Sequence, residues 1–446
     1  MNHSPGSEAG VARWTWILLA AILLVAAGAA TWSRSDVGNA SRRARNQGEP
    51  VATDLRAIVG IEHAEKQLGA QTPTGRGITF GHVEGRIEGG YLPRHQAGVF
   101  DGVTFNIRSQ PGLYSGHADA TARLIYGPSG LAPGVSQVNL YAADDWMGDR
   151  CLRLLQSEPP TSDGCRIFTH SWISGGNAAD EQVLGHLDFM IDTYDVIVVC
   201  GVNNGGNSPV PGLLAGSYNA ISVGTVGGNS SGGYTKGENA GRCKPDLVVD
   251  VKRTSFATPV VAAITGRLLE AADNIAAGAK EDEASSRKFA NRAEVIKAVL
   301  LLKGPIAPTP ADGEPAKVST PIGWDFATLP VDQNVAYAFE IADPLKELAI
   351  AVTWHRRGAR ATVEDTKTKQ KEHQVISLVA DFDLRLVYTA GGQTSILARS
   401  TSGVDNVEFI RLYDVQPGVY RIDVRQKPRP QVRGAWDVAV AWWSTR

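Results

Sequence analysis

The most chemically loaded stretch of the chain is Lys252-Arg-Thr-Ser-Phe-Ala-Thr-Pro-Val-Val-Ala-Ala263. A mostly β-branched run leads up to Ser255 and an apolar run of helical period follows it, so the serine falls where a strand gives way to a buried helix. Pro259 suits the early part of such a helix, where backbone partners are missing in any case. At that junction the serine's own N–H is an unpaired donor, aimed at any anion that forms beside the hydroxyl: half an oxyanion hole. The same placement also suits a plain helix cap, a role serine fills well, and the stretch by itself supports either.

Three further segments carry groups that a serine nucleophile would need. Gly77-Ile-Thr-Phe-Gly-His-Val-Glu-Gly85 is a short β-rich run ending in a carboxylate, Glu84, before a glycine, which is where α/β folds put chemistry. Ser115-Gly-His-Ala-Asp-Ala-Thr-Ala-Arg-Leu-Ile-Tyr-Gly127 reads as a helix with His117 at its start, Leu124 and Ile125 on its inward face, and Asp119 as a favourable acid in the first turn. Asp195-Val-Ile-Val-Val-Cys-Gly-Val-Asn-Asn-Gly-Gly206 is a continuous apolar strand, of the kind buried on both faces of a parallel sheet, running into an asparagine-glycine turn. A strand-end acid, a surface histidine and an Asn-Gly turn each have ordinary structural explanations; their joint occurrence, each on the element that chemistry requires, is the informative feature.

Taken together the segments resemble the subtilisin-like serine peptidases. Thr254-Ser-Phe-Ala-Thr-Pro259 is similar to that family's Gly-Thr-Ser-x-Ala-Thr/Ser-Pro nucleophile segment, with Arg253 where the family has glycine. Glu84 falls on the family's catalytic aspartate, and His117 to Gly127 aligns without a gap on the histidine motif, with Ala118, Asp119 and Ala120 replacing its glycine, threonine and second histidine. The resemblance implies an oxyanion asparagine at Asn203, with Asn204 as the fallback, and a substrate-pairing strand at Ile167-Phe-Thr-His-Ser-Trp-Ile173 that makes Ser171 and Trp172 line the cleft. Lys244-Pro-Asp-Leu-Val-Val249 matches the strand ahead of the nucleophile, though fewer residues separate Asp246 from Ser255 than the family has. The implied activity is serine endopeptidase hydrolysis of a protein or peptide through an acyl-enzyme and a Ser-His-Glu triad, with no metal and no cofactor required for the chemistry. The rivals are a catalytically inactive relative that binds peptides or proteins, and a serine esterase.

Positioning such residues takes an α/β, subtilisin-like three-layer fold with a central parallel sheet. With 446 residues there is room for more. The expected division is 1–32 as signal anchor or signal peptide, 33–51 as linker, 52–328 as the peptidase domain, and 329–446 as an antiparallel β-sandwich, jelly-roll-like domain. Gly304 to Ala316 is proline-rich and marks the crossing. Beyond it run short alternating strands such as Leu348-Ala-Ile-Ala-Val-Thr-Trp354 and Trp436-Asp-Val-Ala-Val-Ala-Trp-Trp443, without helical signals. Asp381-Phe-Asp and Asp405-Asn-Val-Glu resemble the jelly-roll domain that follows some subtilases, which implies structural calcium as an option. The basic loop around Arg356 to Lys371 is expected to be a solvated surface, with an acidic surface partner as the alternative.

Net charge is −2 and only 20% of residues are charged, so nothing points to nucleic acid. Of four cysteines, Cys151 and Cys165 flank a short irregular loop that a disulfide would hold, while Cys200 reads as a buried thiol, with a bridge to Cys243 as the alternative. Trp14 to Trp32 is apolar and about long enough to cross a bilayer, with aromatic residues at both ends. Arg34, Arg42, Arg43 and Arg45 after it argue for a cytoplasmic domain by the positive-inside rule; the expected disulfide and the secretory habit of the resembled family favour an extracytoplasmic one, membrane-anchored or secreted.

Overall fold

The computed structural model describes residues 52–446 except 88, 95–96, 177–179, 237–239, 280–285, 303–315, 319–321 and 365–370. The apolar segment Trp14 to Trp32, the tether that follows it and nearly all of the proline-rich crossing lie outside the described residues. Among the described residues no helix is long and apolar enough to cross a membrane.

The first part of the chain builds a sheet from β1 (Phe80–Glu84), β2 (Thr104–Ile107), β3 (Gln137–Ala142), β4 (Ile167–His170), β5 (Ile197–Gly201), β6 (Ile221–Thr225) and β7 (Leu247–Val249). Its order is β7-β6-β5-β4-β1-β3-β2 and every pairing is parallel. The period-two alternation sorts side chains between two helical layers. Phe80, Leu140, Ile167, Ile197 and Val199 face one layer, whereas Val83, Tyr141, Phe168, Val198 and Cys200 face the other. The first layer contains α1 (Ala52–Ile58), α2 (Ile61–Leu68), α3 (Gly116–Ile125), the 25-residue α5 (Thr254–Gly278) and α6 (Ala293–Leu302); the second contains α4 (Asp180–Tyr194). The expected α/β fold with a central parallel sheet is therefore present. The chain leaves β1 towards β2 and β3 on one side, then crosses to β4 on the other. The carboxyl end of β1, where Glu84 sits, thus lies at a topological switch point.

The second part is an antiparallel sandwich. Its strands are β8 (Ala316–Val318), β9 (Gly323–Leu329), β10 (Asn334–Ile341), β11 (Leu345–Thr353), β12 (Arg357–Glu364), β13 (Lys371–Leu378), β14 (Asp381–Ala390), β15 (Gln393–Ser400), β16 (Val407–Val415), β17 (Gly418–Lys427) and β18 (Trp436–Thr445). One sheet runs β8-β10-β17-β14-β15 and the other β9-β18-β11-β16, with β8 alone paired in parallel. Leu348, Ile350 and Val352 of β11 fill the space between the sheets, while Ala349 and Ala351, with Ala439 and Ala441 of β18, turn outward. That small-residue face lets α6 lie close, so one apolar cluster continues from the α/β layer onto the sandwich. Polar groups seal the same seam: His355 Nδ1 lies 3.4 Å from Glu294 and 3.5 Å from Asp192, and Arg292 pairs with Glu294 at 3.1 Å. These three acid and imidazole groups are close enough to hold a cation. With a guanidinium already on Glu294, however, they read as an ion-pair network. Among the described residues no such group includes Asp381, Asp383 or Asp405.

Several expectations need correction. The basic stretch after Arg356 is not a loop over its described residues: β12 and β13 pair antiparallel and pack on α4, where Gly358 and Val375 meet Phe189 and Gly185, while Ala359 and Arg360 stay exposed. Arg357 stacks over Trp436 and pairs with Asp437 at 2.9 Å. The expected Cys151–Cys165 disulfide is absent, and all four cysteines are free. The loop between them is held by its own backbone, with Thr161 N–H donating to the Cys151 carbonyl at 2.8 Å and Cys165 N–H to Ser162. Both thiols are buried in the layer that holds Tyr141, Trp146 and Phe168. Burial pushes the Cys165 thiol up to about 12 and raises Cys151 as well, so neither forms the reactive thiolate. Alkylation without reductant should accordingly modify only the exposed Cys243 in folded protein and all four cysteines after denaturation, as read by intact mass.

Candidate active site

Glu84 is the last residue of β1 and is 2% exposed. His117 is the second residue of α3, whose first turn is capped by Ser115 accepting from Ala118 N–H. The His117 Nδ1 lies 2.8 Å from Glu84 Oε2. One turn along the same helical face, Thr121 Oγ1 donates to Glu84 Oε1 at 2.7 Å. His82, two residues back on the same face of β1, brings Nε2 to 3.3 Å from that oxygen and Nδ1 to 3.3 Å from the Tyr126 hydroxyl. A single proton assignment satisfies the whole set: Tyr126 donates to His82, His82 and Thr121 donate to one carboxylate oxygen, and His117 Nδ1–H donates to the other. Burial by itself would raise the Glu84 carboxyl, but the bonds from His117 and His82 and their charge outweigh it and hold it at about 2. His170, on the neighbouring strand, is driven down to about 3 by burial and stays neutral beside this carboxylate.

Ser255 stands in the first turn of α5, after Arg253 as cap residue with extended backbone. Its N–H is among the helix-start donors with no partner among the described residues. Pro259 is the sixth residue of that helix rather than part of its first turn. A proline there has no N–H for the carbonyl four residues earlier, which is that of Ser255. Ser171 supplies the missing donor, its hydroxyl lying 3.1 Å from the Ser255 carbonyl oxygen. Gly201, at the end of β5, is a point of close approach to α5. A Cβ there would stand 3.1 Å from Thr258 Oγ1 and 3.6 Å from Thr254, so a side chain would press on the first turns of α5.

These elements converge on a cleft of about 640 Å³ lined by His117, Ser171, Trp172, Gly201, Asn204 and Ser255, together with Lys252, Arg253 and neighbouring backbone. Ser171 and Trp172 line it as expected, although the Ser171 hydroxyl is engaged by the helix. The two asparagines stand apart from each other. Asn203 is not among the lining residues, and its amide donates to the Pro209 carbonyl. Asn204 does line the cleft, with its carbonyl oxygen accepting from Thr254 N–H at 2.9 Å. That bond fixes the Asn204 side chain by its oxygen and leaves Nδ2 without a partner among the described residues, on the cleft that Ser255 also lines.

No family model matches the chain, and no curated protein matches it. Solved structures do. A cold-adapted subtilisin-like serine proteinase is 17% identical, over 44% of this chain and 77% of its own, with a TM-score of 0.31. Fervidolysin from Fervidobacterium pennivorans, a keratinolytic enzyme related to subtilisin, is 12% identical over 85% of this chain and 78% of its own, also at 0.31. MycP1 with its propeptide removed is 15% identical over 47% and 84%, at 0.27. Subtilisin-like serine proteases thus stand among its structural neighbours, at scores too low to lend this cleft a chemistry.

His82 and Thr121 escaped the reading of the sequence. The signal was there in period: two residues from Glu84 along a strand, and four from His117 along a helix.

Proposed function

We propose that this chain is a serine endopeptidase working through an acyl-enzyme, with Ser255 as nucleophile, His117 as general base and acid, and Glu84 as the carboxylate that orients and charge-balances His117. One observation chiefly supports the reading: an imidazole held through Nδ1 by a buried carboxylate lines the same cleft as a serine at the start of a buried helix. Ser255 Oγ attacks the peptide carbonyl carbon while His117 Nε2 takes its proton. The charge on the carbonyl oxygen is met by the Ser255 N–H and Asn204 Nδ2. His117 then protonates the leaving amine, and a water, deprotonated by the same ring, frees the acyl group. The acting side is proposed to be extracytoplasmic, reached through the apolar segment from Trp14 to Trp32.

A fluorophosphonate probe tests the proposal on the folded protein. One covalent adduct per chain with turnover of peptide amides supports it; an adduct with turnover of esters alone makes the protein an esterase, and no adduct leaves only a peptide-binding cleft. Asn204→Ala should lower kcat by about 10²–10³-fold with little change in KM, the usual loss for one oxyanion donor. Asn203→Ala should fall well short of that, and steady-state kinetics on the pair decide which amide faces the reaction.

A further inference from the structure

We infer that the cleft selects peptides that carry a carboxylate close to the bond at Ser255; the inference builds on the peptidase reading by naming its substrate class. Lys252 and Arg253 line the cleft immediately before the nucleophile's helix, and both are exposed. Neither has an ion-pair partner among the described residues, and no acid is among the residues lining the cleft. The nearby carboxylates are committed elsewhere: Glu84 to His117, and Asp246 to Lys244 at 2.8 Å. Asp250, two residues before Lys252, has its carboxyl raised by burial.

Among the described residues the site therefore holds two positive charges without an ion-pair partner, and the amino end of the 25-residue α5 adds its dipole in the same direction. Low-dielectric walls concentrate such a field within a cleft. A carboxylate entering it loses little of its pairing to competition, whereas a lysine or arginine side chain meets like charge. Both cations line the same cleft as Ser255, and an extended peptide advances about 3.4 Å per residue, so the favoured acid lies close to the scissile bond. The source of the carboxylate is either an Asp or Glu side chain or the free end of a short peptide; both present the same anion to the same two cations.

Binding measured on Ser255→Ala reads this preference without turnover. The probes are acetylated, amidated hexapeptides of Ala, Phe and Leu that carry Glu, Gln or Lys in turn at each of the four inner positions. A further Gln peptide ends in a free carboxylate. The Glu peptide is expected to bind about tenfold tighter than its Gln counterpart at its best position, and the Lys peptide more weakly than either. The spread should shrink as salt rises from about 0.02 to 0.5 M and screening shortens the reach of the field. Adding Lys252→Ala and Arg253→Ala, both on exposed side chains, should erase the preference. Recovery of affinity in the free-ended Gln peptide assigns the anion to the chain terminus, and its failure assigns it to the side chain. Equal affinity for Glu and Lys peptides, a preference that survives the double substitution, or no binding by any peptide overturns the inference. A fluorophosphonate adduct missing from wild-type protein that still prefers acidic peptides would sink the peptidase reading and leave the charge selection standing.

Discussion

Ser255→Ala is expected to lower kcat on a peptide substrate on the order of 10⁶-fold and to abolish the fluorophosphonate adduct, while peptide affinity and melting temperature hardly move. The helix does not depend on the lost hydroxyl. Arg253 is the cap residue, Thr254 N–H is taken by Asn204, and Ser171 reaches the backbone carbonyl of Ser255 rather than its side chain. Stability should therefore stay within about 0.5 kcal/mol. Catalysis has no substitute, since no other hydroxyl in the cleft is free: the one on Ser171 is engaged and Thr254 is buried. What persists is the donor pair at the oxyanion position and the binding surface, which together leave about 10³–10⁴ over the uncatalysed rate. His117→Ala should cost about as much, and the double variant no more than either, because nucleophile and base act as one unit. An adduct that survives in Ser255→Ala would move the nucleophile elsewhere.

The candidate positions were legible because each stands where the hydrophobic period changes. Glu84 closes a period-two run, His117 opens a period-3.6 run, and Ser255 lies between the two kinds, so element ends could be marked without knowing how they meet. The choice between Asn203 and Asn204 was not legible, because at a strand end a shift of one residue turns the side chain to the other face. What separates the two side chains is a bond from Thr254 to Asn204, fifty positions apart, and one from Asn203 to Pro209. The hairpin at Arg357–Leu378 was obscured by its charge: its packing depends on Gly358 and Val375 finding α4, and no local pattern announces that contact. β2 was hidden for a related reason, being a four-residue edge strand of mixed polarity. For Cys151 and Cys165 the spacing suggested closure, but the apolar layer that buries them draws on strands and a helix elsewhere in the chain. Proline placement misled in a smaller way. Pro259 suits an early helical position by composition, and only the Ser171 hydroxyl on the freed carbonyl shows how a later one is tolerated.

Glu84→Gln is expected to cut kcat by about 10⁴-fold with KM nearly unchanged, the cost of losing the charge that fixes the imidazole tautomer. A glutamine keeps the volume, but its amide end must face either His117 Nδ1–H or the donors from His82 and Thr121, so one donor loses its acceptor. Glu84→Ala leaves all three facing a void, at about 1–3 kcal/mol for each unsatisfied group, and mixes a folding defect with the catalytic one. Glu84→Asp is the informative companion. One carbon shorter, by about 1.5 Å, it cannot reach both His117 and Thr121 from the same strand position, and its rate should fall between wild type and Gln. The pH dependence separates orientation from mere packing. With its carboxyl held at about 2, below the ordinary 4.5, Glu84 is charged throughout the working range. Its contribution to stability is complete above the ordinary carboxylate value and is lost as pH falls through about 2. The rise of activity with pH thus belongs to loss of the proton from the His117 ring, and Glu84→Gln should move that limb towards lower pH, because the imidazolium no longer has an anion to stabilise it. An unshifted limb together with an unchanged kcat would mean that some other group orients His117.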